Sequence, residues 1–268
     1  MNKKTYLQES LRSGRIMRWT CKMPIKVFIA PMNFYSKQGQ DSRYRAMVRK
    51  ALDAWQAATR GKISFTVVND YYDSYINVSW KRVERKALGH CYFQFDKQQR
   101  LGSAEICIGL TDGLIHRDYM DDGEVYHTIL HEVGHALGLG HSPFPQDIMY
   151  TPHQKGILTI SPCDVLTLNW LYTLPQGSTI NEVASKYGVS SSNNIDEVIA
   201  LVIDKKLDKL KAGDKAGESS KPVVKRPKRD LLEEQDSMAN LRKYHLSLQN
   251  VTISEDVRKY LQKPPSNP

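Results

Sequence analysis

The eleven residues His131-Glu132-Val133-Gly134-His135-Ala136-Leu137-Gly138-Leu139-Gly140-His141 constrain this chain more than any other stretch. Residues four apart on a helix share a face, so His131 and His135 aim both imidazoles at one point while Glu132 projects beside it. Gly138 tolerates the positive φ that ends a helix and turns the chain back, which brings His141 to the same point. Three neutral nitrogens and one open position are what a catalytic zinc requires, the open position holding the water that becomes the nucleophile. In this reading His131, His135 and His141 are the metal ligands and Glu132 is the general base. With five fixed positions each matched roughly one time in twenty, the pattern arises by accident in on the order of one chain in ten thousand of this length. Histidines that only cap or pack a helix are the alternative, and the residues downstream weigh against it.

Eight residues past His141 stands Met149, within Asp147-Ile148-Met149-Tyr150. A methionine after this histidine pattern resembles the metzincins, in which a methionine turn forms an apolar floor beneath the ligands. Ser142, the Met149-Tyr150 pair and the stretch from Leu158-Thr159-Ile160-Ser161-Pro162-Cys163-Asp164-Val165 to Leu171-Tyr172 are similar to the matrixin branch. Astacins and serralysins carry a tyrosine two residues after the methionine, where this chain has Thr151.

The resemblance covers roughly residues 18 to 174. It implies an α+β, metzincin-type zincin domain with a twisted, mixed five-stranded sheet, three main helices and a methionine turn. It also implies a zinc metalloendopeptidase that hydrolyses internal peptide bonds of protein or peptide substrates with one catalytic Zn2+. In matrixins the strand corresponding to residues 89 to 93 is the antiparallel edge above the cleft, which makes Gly89, His90, Cys91 and Tyr92 candidates for the cleft rim, with substrate pairing there as an added strand. Animal matrixins also hold a structural zinc; His90 matches one of its positions, but Glu105 occupies another and Trp80 to Leu88 contains no His or Asp, so that ion is not expected. The family's Pro-x-Tyr pocket wall is replaced by Pro152-His153, which leaves the side-chain preference open. Cys21 lacks the setting of the propeptide cysteine that occupies zinc in matrixin zymogens.

Periodicity supplies the frame around the motif. Ile25 to Ile29, Ile63 to Val68, Tyr75 to Trp80, Gly89 to Phe93 and Ala104 to Ile108 read as strands. Tyr44 to Thr59 reads as an amphipathic helix stopped by Gly61, and the zinc helix runs from about Val125 to Leu137. His127 lies one turn before His131 and reads as packing rather than as a fourth ligand. Asp112, Asp118, Asp121, Asp122 and Glu124 offer oxygens for calcium without a recognised loop spacing, so a solvated acidic loop is expected.

The net charge of +9 divides unevenly. Residues 24 to 174 hold sixteen basic and fifteen acidic side chains, whereas the first 23 residues hold six and one, and residues 175 to 268 hold sixteen and thirteen. A near-neutral central region argues against a nucleic-acid groove. Residues 1 to 23 are therefore expected to form a basic, solvated arm before the catalytic region, 24 to 174. The four cysteines, Cys21, Cys91, Cys107 and Cys163, match no metal or redox spacing and read as buried thiols, with Cys91 and Cys107 near enough in the predicted sheet to pair in an oxidising medium.

No stretch is apolar enough to span a membrane, and a monomer is expected. The opening residues carry no secretory leader, which by itself places the chain in the cytoplasm; the resemblance favours the outside. After residue 174, Tyr172 to Ser190 resembles the first half of a LysM module, with Leu210 to Lys215 as a closing strand, and a plain helical hairpin is the other reading of 175 to 212. The LysM reading carries a second functional hypothesis, a weakly catalytic or non-catalytic protein that binds cell-wall glycan. Residues 213 to 229 read as a flexible linker and 230 to 268 as a charged helical tail.

Overall fold

The computed structural model describes residues 4–32, 40–81, 88–110 and 121–216, with side chains as far as Asp208. Asp112 and Asp118, residues 217–229 of the expected linker, and the tail from Asp230 onward lie outside the described residues.

Five strands form one mixed sheet: β1 (Ile25–Ile29), β2 (Phe65–Val68), β3 (Ile76–Lys81), β4 (Gly89–Phe95) and β5 (Leu101–Gly109). Their order across the sheet is β2-β1-β3-β5-β4, parallel except for β4, which runs antiparallel to β5 at one edge. Alternation along the strands sends Ile25, Val27 and Ile29, then Ile76, Val78 and Trp80, then Ala104, Ile106 and Ile108 into the core. Helix α1 (Gln40–Ala58) packs there through Tyr44, Val48, Leu52 and Trp55; the spacing points to Met47, Val48, Leu52, Trp55 and Ala58, of which Met47 and Ala58 are only partly buried. Helix α2 (Asp122–Ala136) lies beside α1 and contacts β4 and β5. Asp121 caps α2 by accepting from the Glu124 N–H, and Asp122 accepts from Arg43 Nε at 2.8 Å, so these two members of the expected acidic loop serve the helix start.

Helix α3 (Pro162–Thr173) begins with a capping box in which Ser161 and Asp164 satisfy each other's backbone N–H groups. Helices α4 (Ile180–Tyr187) and α5 (Ile195–Ala216) follow. Residues 210–215 therefore continue a helix where the LysM-like reading required a strand, and the described part of the extension is a pair of helices. The expected linker likewise starts later than residue 213, because the helix runs to Ala216. None of the helices among the described residues is long and apolar enough to cross a membrane.

The N-terminal residues overturn the solvated-arm expectation. Tyr6, Leu7, Ile16, Met17 and Trp19 are buried in the same core as the sheet, and a short 3-10 turn at Leu7–Ser10 packs against α3 and α5. Charge misled here. Of the six basic residues in the segment, none occupies one of those five apolar positions, and burial follows the apolar side chains.

The cysteines also depart from expectation. Cys107 and Cys163 are buried, but Cys21 and Cys91 are only partly so, and none of the four is in a disulfide. In the β4–β5 register Cys91 faces Ile106 while His90 faces Cys107. Directly opposed residues share a face and successive residues alternate, so the two thiols lie on opposite faces and cannot bridge.

Candidate metal centre

Helix α2 brings His131 and His135 onto one side, one turn apart, and ends at Ala136 with Leu137 as its cap. Its last carbonyls would be left without helical partners. The Trp19 indole donates to Ala136 O at 2.8 Å and the Tyr172 hydroxyl to Leu137 O at 3.0 Å. Trp55 adds a third anchor through Leu130 O at 3.0 Å. Gly138 then takes φ +99°, and the chain reverses to carry His141 back to the helix.

The three imidazoles converge. His135 Nε2 lies 3.1 Å from His131 Nε2 and 3.2 Å from His141 Nε2. His131 Nδ1 lies 2.8 Å from Ile148 O, and His135 Nδ1 lies 2.9 Å from Leu139 O. A carbonyl only accepts, so each of these Nδ1 atoms carries the hydrogen and its Nε2 presents a lone pair. Lone pairs at this separation repel, and a cation among them converts the repulsion to attraction. Ligand nitrogens on a tetrahedral zinc, each at about 2.0–2.1 Å, stand roughly 3.3 Å from one another, so the spacing fits such an ion. These three residues are also the one group of three or more candidate ligands that converges among the described residues. Burial holds them neutral: it pushes His131 down to about 3, with His135 and His141 adding to the effect, and His135 down to about 4.

Glu132 is buried beside them, its Oε2 has no hydrogen-bond partner among the described residues, and burial pushes its carboxyl up to about 8. An unpartnered buried carboxyl oxygen is costly, and Glu132 is one of the residues that line the adjoining cavity. That cavity, about 510 Å3, is lined by Gly89, His90 and Cys91 of β4, by Thr128 and Glu132 with the three histidines, and by Tyr150 to His153. Tyr92, also expected at the rim, is 69 % exposed and does not line the cavity. Gly89 stands against the helix, where a Cβ would meet Thr128 Cγ2 at 2.6 Å and Glu132 Cγ at 2.9 Å.

Met149 is fully buried, and its sulfur lies against Gly134, a helical residue whose missing side chain makes room for it. The loop that carries Met149 is closed by Ser142 N–H to Met149 O at 2.9 Å, and buried Asp147 accepts from the hydroxyls of Ser142 and Ser161 at 2.5 and 2.6 Å.

His127 is not part of the converging group. Its Nδ1 lies 2.6 Å from Ile157 O, burial pushes it down to about 4, and His153 packs on it with ring centroids 3.9 Å apart. Sequence reasoning did not anticipate that two further imidazoles would share one wall of the cavity, because His127 and His153 are 26 positions apart. Glu105, at the position where a structural zinc would need a histidine, accepts from Asn77 Nδ2 at 2.8 Å instead.

Comparison with known proteins adds three findings. A protein provisionally named a matrix metalloproteinase, from Invertebrate iridescent virus 3, is 38 % identical over 63 residues, which is 24 % of this chain and 17 % of that protein. Another so named, from Heliothis virescens ascovirus 3e, is 28 % identical over 163 residues, or 51 % of this chain and 33 % of its own length. The chain thus spans a third or less of these relatives. The matrixin family model matches residues 25–173, more than half of the 268 residues and all five strands with α1, α2 and α3. The chain belongs to the matrixin family.

Proposed function

We propose that this protein is a zinc-dependent metalloendopeptidase. The observation that carries the proposal is the conjunction of three Nε2 atoms converging on one point with a buried carboxyl, one oxygen of which has no partner among the described residues, in the lining of the same cavity. His131, His135 and His141 would hold the ion. A zinc ion held by these three residues would supply Lewis acidity toward the scissile carbonyl and toward water near neutral pH.

Glu132 supplies the proton traffic. As a carboxylate it takes the proton of the attacking water and returns it to the leaving amine nitrogen, so one peptide bond and one water become a carboxylic acid and an amine. Burial alone favours its neutral form, and the positive charge of a bound dication would counter this. Met149, packed beneath α2, is assigned the role of apolar floor under the ligands.

β4 accounts for an extended substrate. It is a sheet edge, paired on one side with β5, and its first residues border the cavity. A peptide added along this edge would gain main-chain hydrogen bonds without any demand on its sequence.

The test is cleavage of casein by the full chain after zinc loading, with and without chelator, beside the Glu132→Ala variant. Turnover that disappears with chelator, returns with zinc, and falls roughly 10²- to 10⁴-fold in Glu132→Ala while the metal content is kept supports the assignment. Near-normal cleavage by that variant would remove Glu132 from its role as the base.

A further inference from the structure

The outer nitrogens and flanking backbone of the three histidines lead back to one segment that lies before the matched region. Ile148, whose carbonyl faces His131 Nδ1, donates its own N–H to Asp164 Oδ2 at 3.0 Å. The other oxygen of Asp164 accepts from the Tyr6 hydroxyl at 2.7 Å, and both residues are buried. Leu139, whose carbonyl faces His135 Nδ1, is followed by Gly140, which donates its N–H to Ser10 Oγ at 2.9 Å. Gly140 also immediately precedes His141, and a Cβ there would collide with the carbonyl of Glu9. Residues 6 to 10 therefore brace the backbone next to every imidazole.

That segment has its own anchor. Asp196, in the first turn of α5, accepts from the Thr5 hydroxyl, from Leu7 N–H at 2.7 Å and from Gln8 N–H at 3.1 Å. In return Gln8 Oε1 accepts from Ile195 N–H at 3.0 Å. The N-terminal segment and the start of α5 thus satisfy each other's backbone groups, and both lie outside residues 25–173.

We propose that Tyr6 and Ser10 are positioning residues for the metal ligands and that Asp196 is the clasp that keeps them in place, so that α5 sets how firmly the site retains its ion. The inference rests on the zinc reading above. Partners that orient a ligand imidazole govern metal affinity even though they never touch the ion. Here the path to His131 runs through Ile148, Asp164 and Tyr6, and the path to His135 and His141 runs through Gly140 and Ser10.

Full-length Tyr6→Phe, Ser10→Ala and Asp196→Ala proteins decide the matter, with Ile199→Ala as control, because Ile199 is a buried residue of the same helix that makes none of these contacts. Three readouts are taken on each: zinc loss to a competing chelator, the visible spectrum of the cobalt(II)-loaded protein, and Tm. We expect roughly tenfold or greater acceleration of zinc loss and a shifted cobalt spectrum in the three test variants. Ile199→Ala should lower Tm while keeping wild-type zinc retention and spectrum.

Wild-type retention in folded Tyr6→Phe and Ser10→Ala proteins overturns the proposal, and so does equal zinc loss in Ile199→Ala at a matched drop in Tm. Should Asp196→Ala fail to fold, the other two variants decide, since each removes a single hydroxyl. A wild-type protein that binds no zinc sinks this inference and the metal-site reading together. One that binds zinc but cleaves nothing sinks the peptidase reading alone.

Discussion

Gly138 meets two constraints at once: its φ of +99°, and the Met17 carbonyl 2.9 Å from where a Cβ would stand. Gly138→Ala is therefore expected to cost on the order of 1–3 kcal/mol, read by urea denaturation, and to weaken zinc retention because His141 follows three residues later. His127 supplies a second test at this scale. Burial lowers its pKa from the ordinary 6.5 to about 4, so below about 6.5 the unfolded chain takes up a proton that the folded protein refuses. The stability this group contributes is present above pH 6.5 and is lost as pH falls toward 4. Metal-free protein should lose stability across that window, and His127→Gln should flatten part of the fall; an unchanged pH profile in the variant would show that His127 is not the source.

At the scale of elements, the β4–β5 pair decides cysteine chemistry and, in the proposed function, the approach of substrate together. The register that places Cys91 beside the cavity turns Cys107 to the other face, so oxidation is not expected to join them. Thiol counting and peptide mapping after mild oxidation of the folded protein should find no Cys91–Cys107 bridge; finding one would mean that the strands had slipped by one residue. Helix α2 illustrates a different dependence. Two tryptophans and a tyrosine from α1, α3 and the N-terminal segment donate to its carbonyls, so the helix that bears His131 and His135 is held from three directions.

At the scale of the whole molecule, the family match marks out less than the folded unit. Tyr6, Leu7, Ile16, Met17 and Trp19 are all buried and all precede residue 25. At about 1.5–3 kcal/mol for each large apolar side chain, their removal forfeits on the order of 10 kcal/mol, comparable with the whole net stability of a domain. A fragment of residues 25–173 should accordingly show no cooperative thermal transition, while the full chain does, as measured by calorimetry. A fragment that melts cooperatively near the full-chain Tm would show that the flanking segments are dispensable.

Much of this was legible in the residues themselves, for a physical reason. The histidine triad, its glycine turn and the five strands depend on local rules of helical spacing, left-handed φ and two-residue alternation, which act over a few positions and leave a trace in the order of side chains. The resemblance to matrixins carried the mixed five-stranded sheet and its antiparallel edge strand further than periodicity could. What only the tertiary structure decided are pairings between distant positions: Tyr6 with Asp164, Ser10 with Gly140, Asp196 with residues 5 to 8, and His127 with His153. Burial of a charged-looking N-terminal segment and the opposite facing of Cys91 and Cys107 follow from how elements meet in space, and no spacing within one segment encodes a partner more than a hundred residues away.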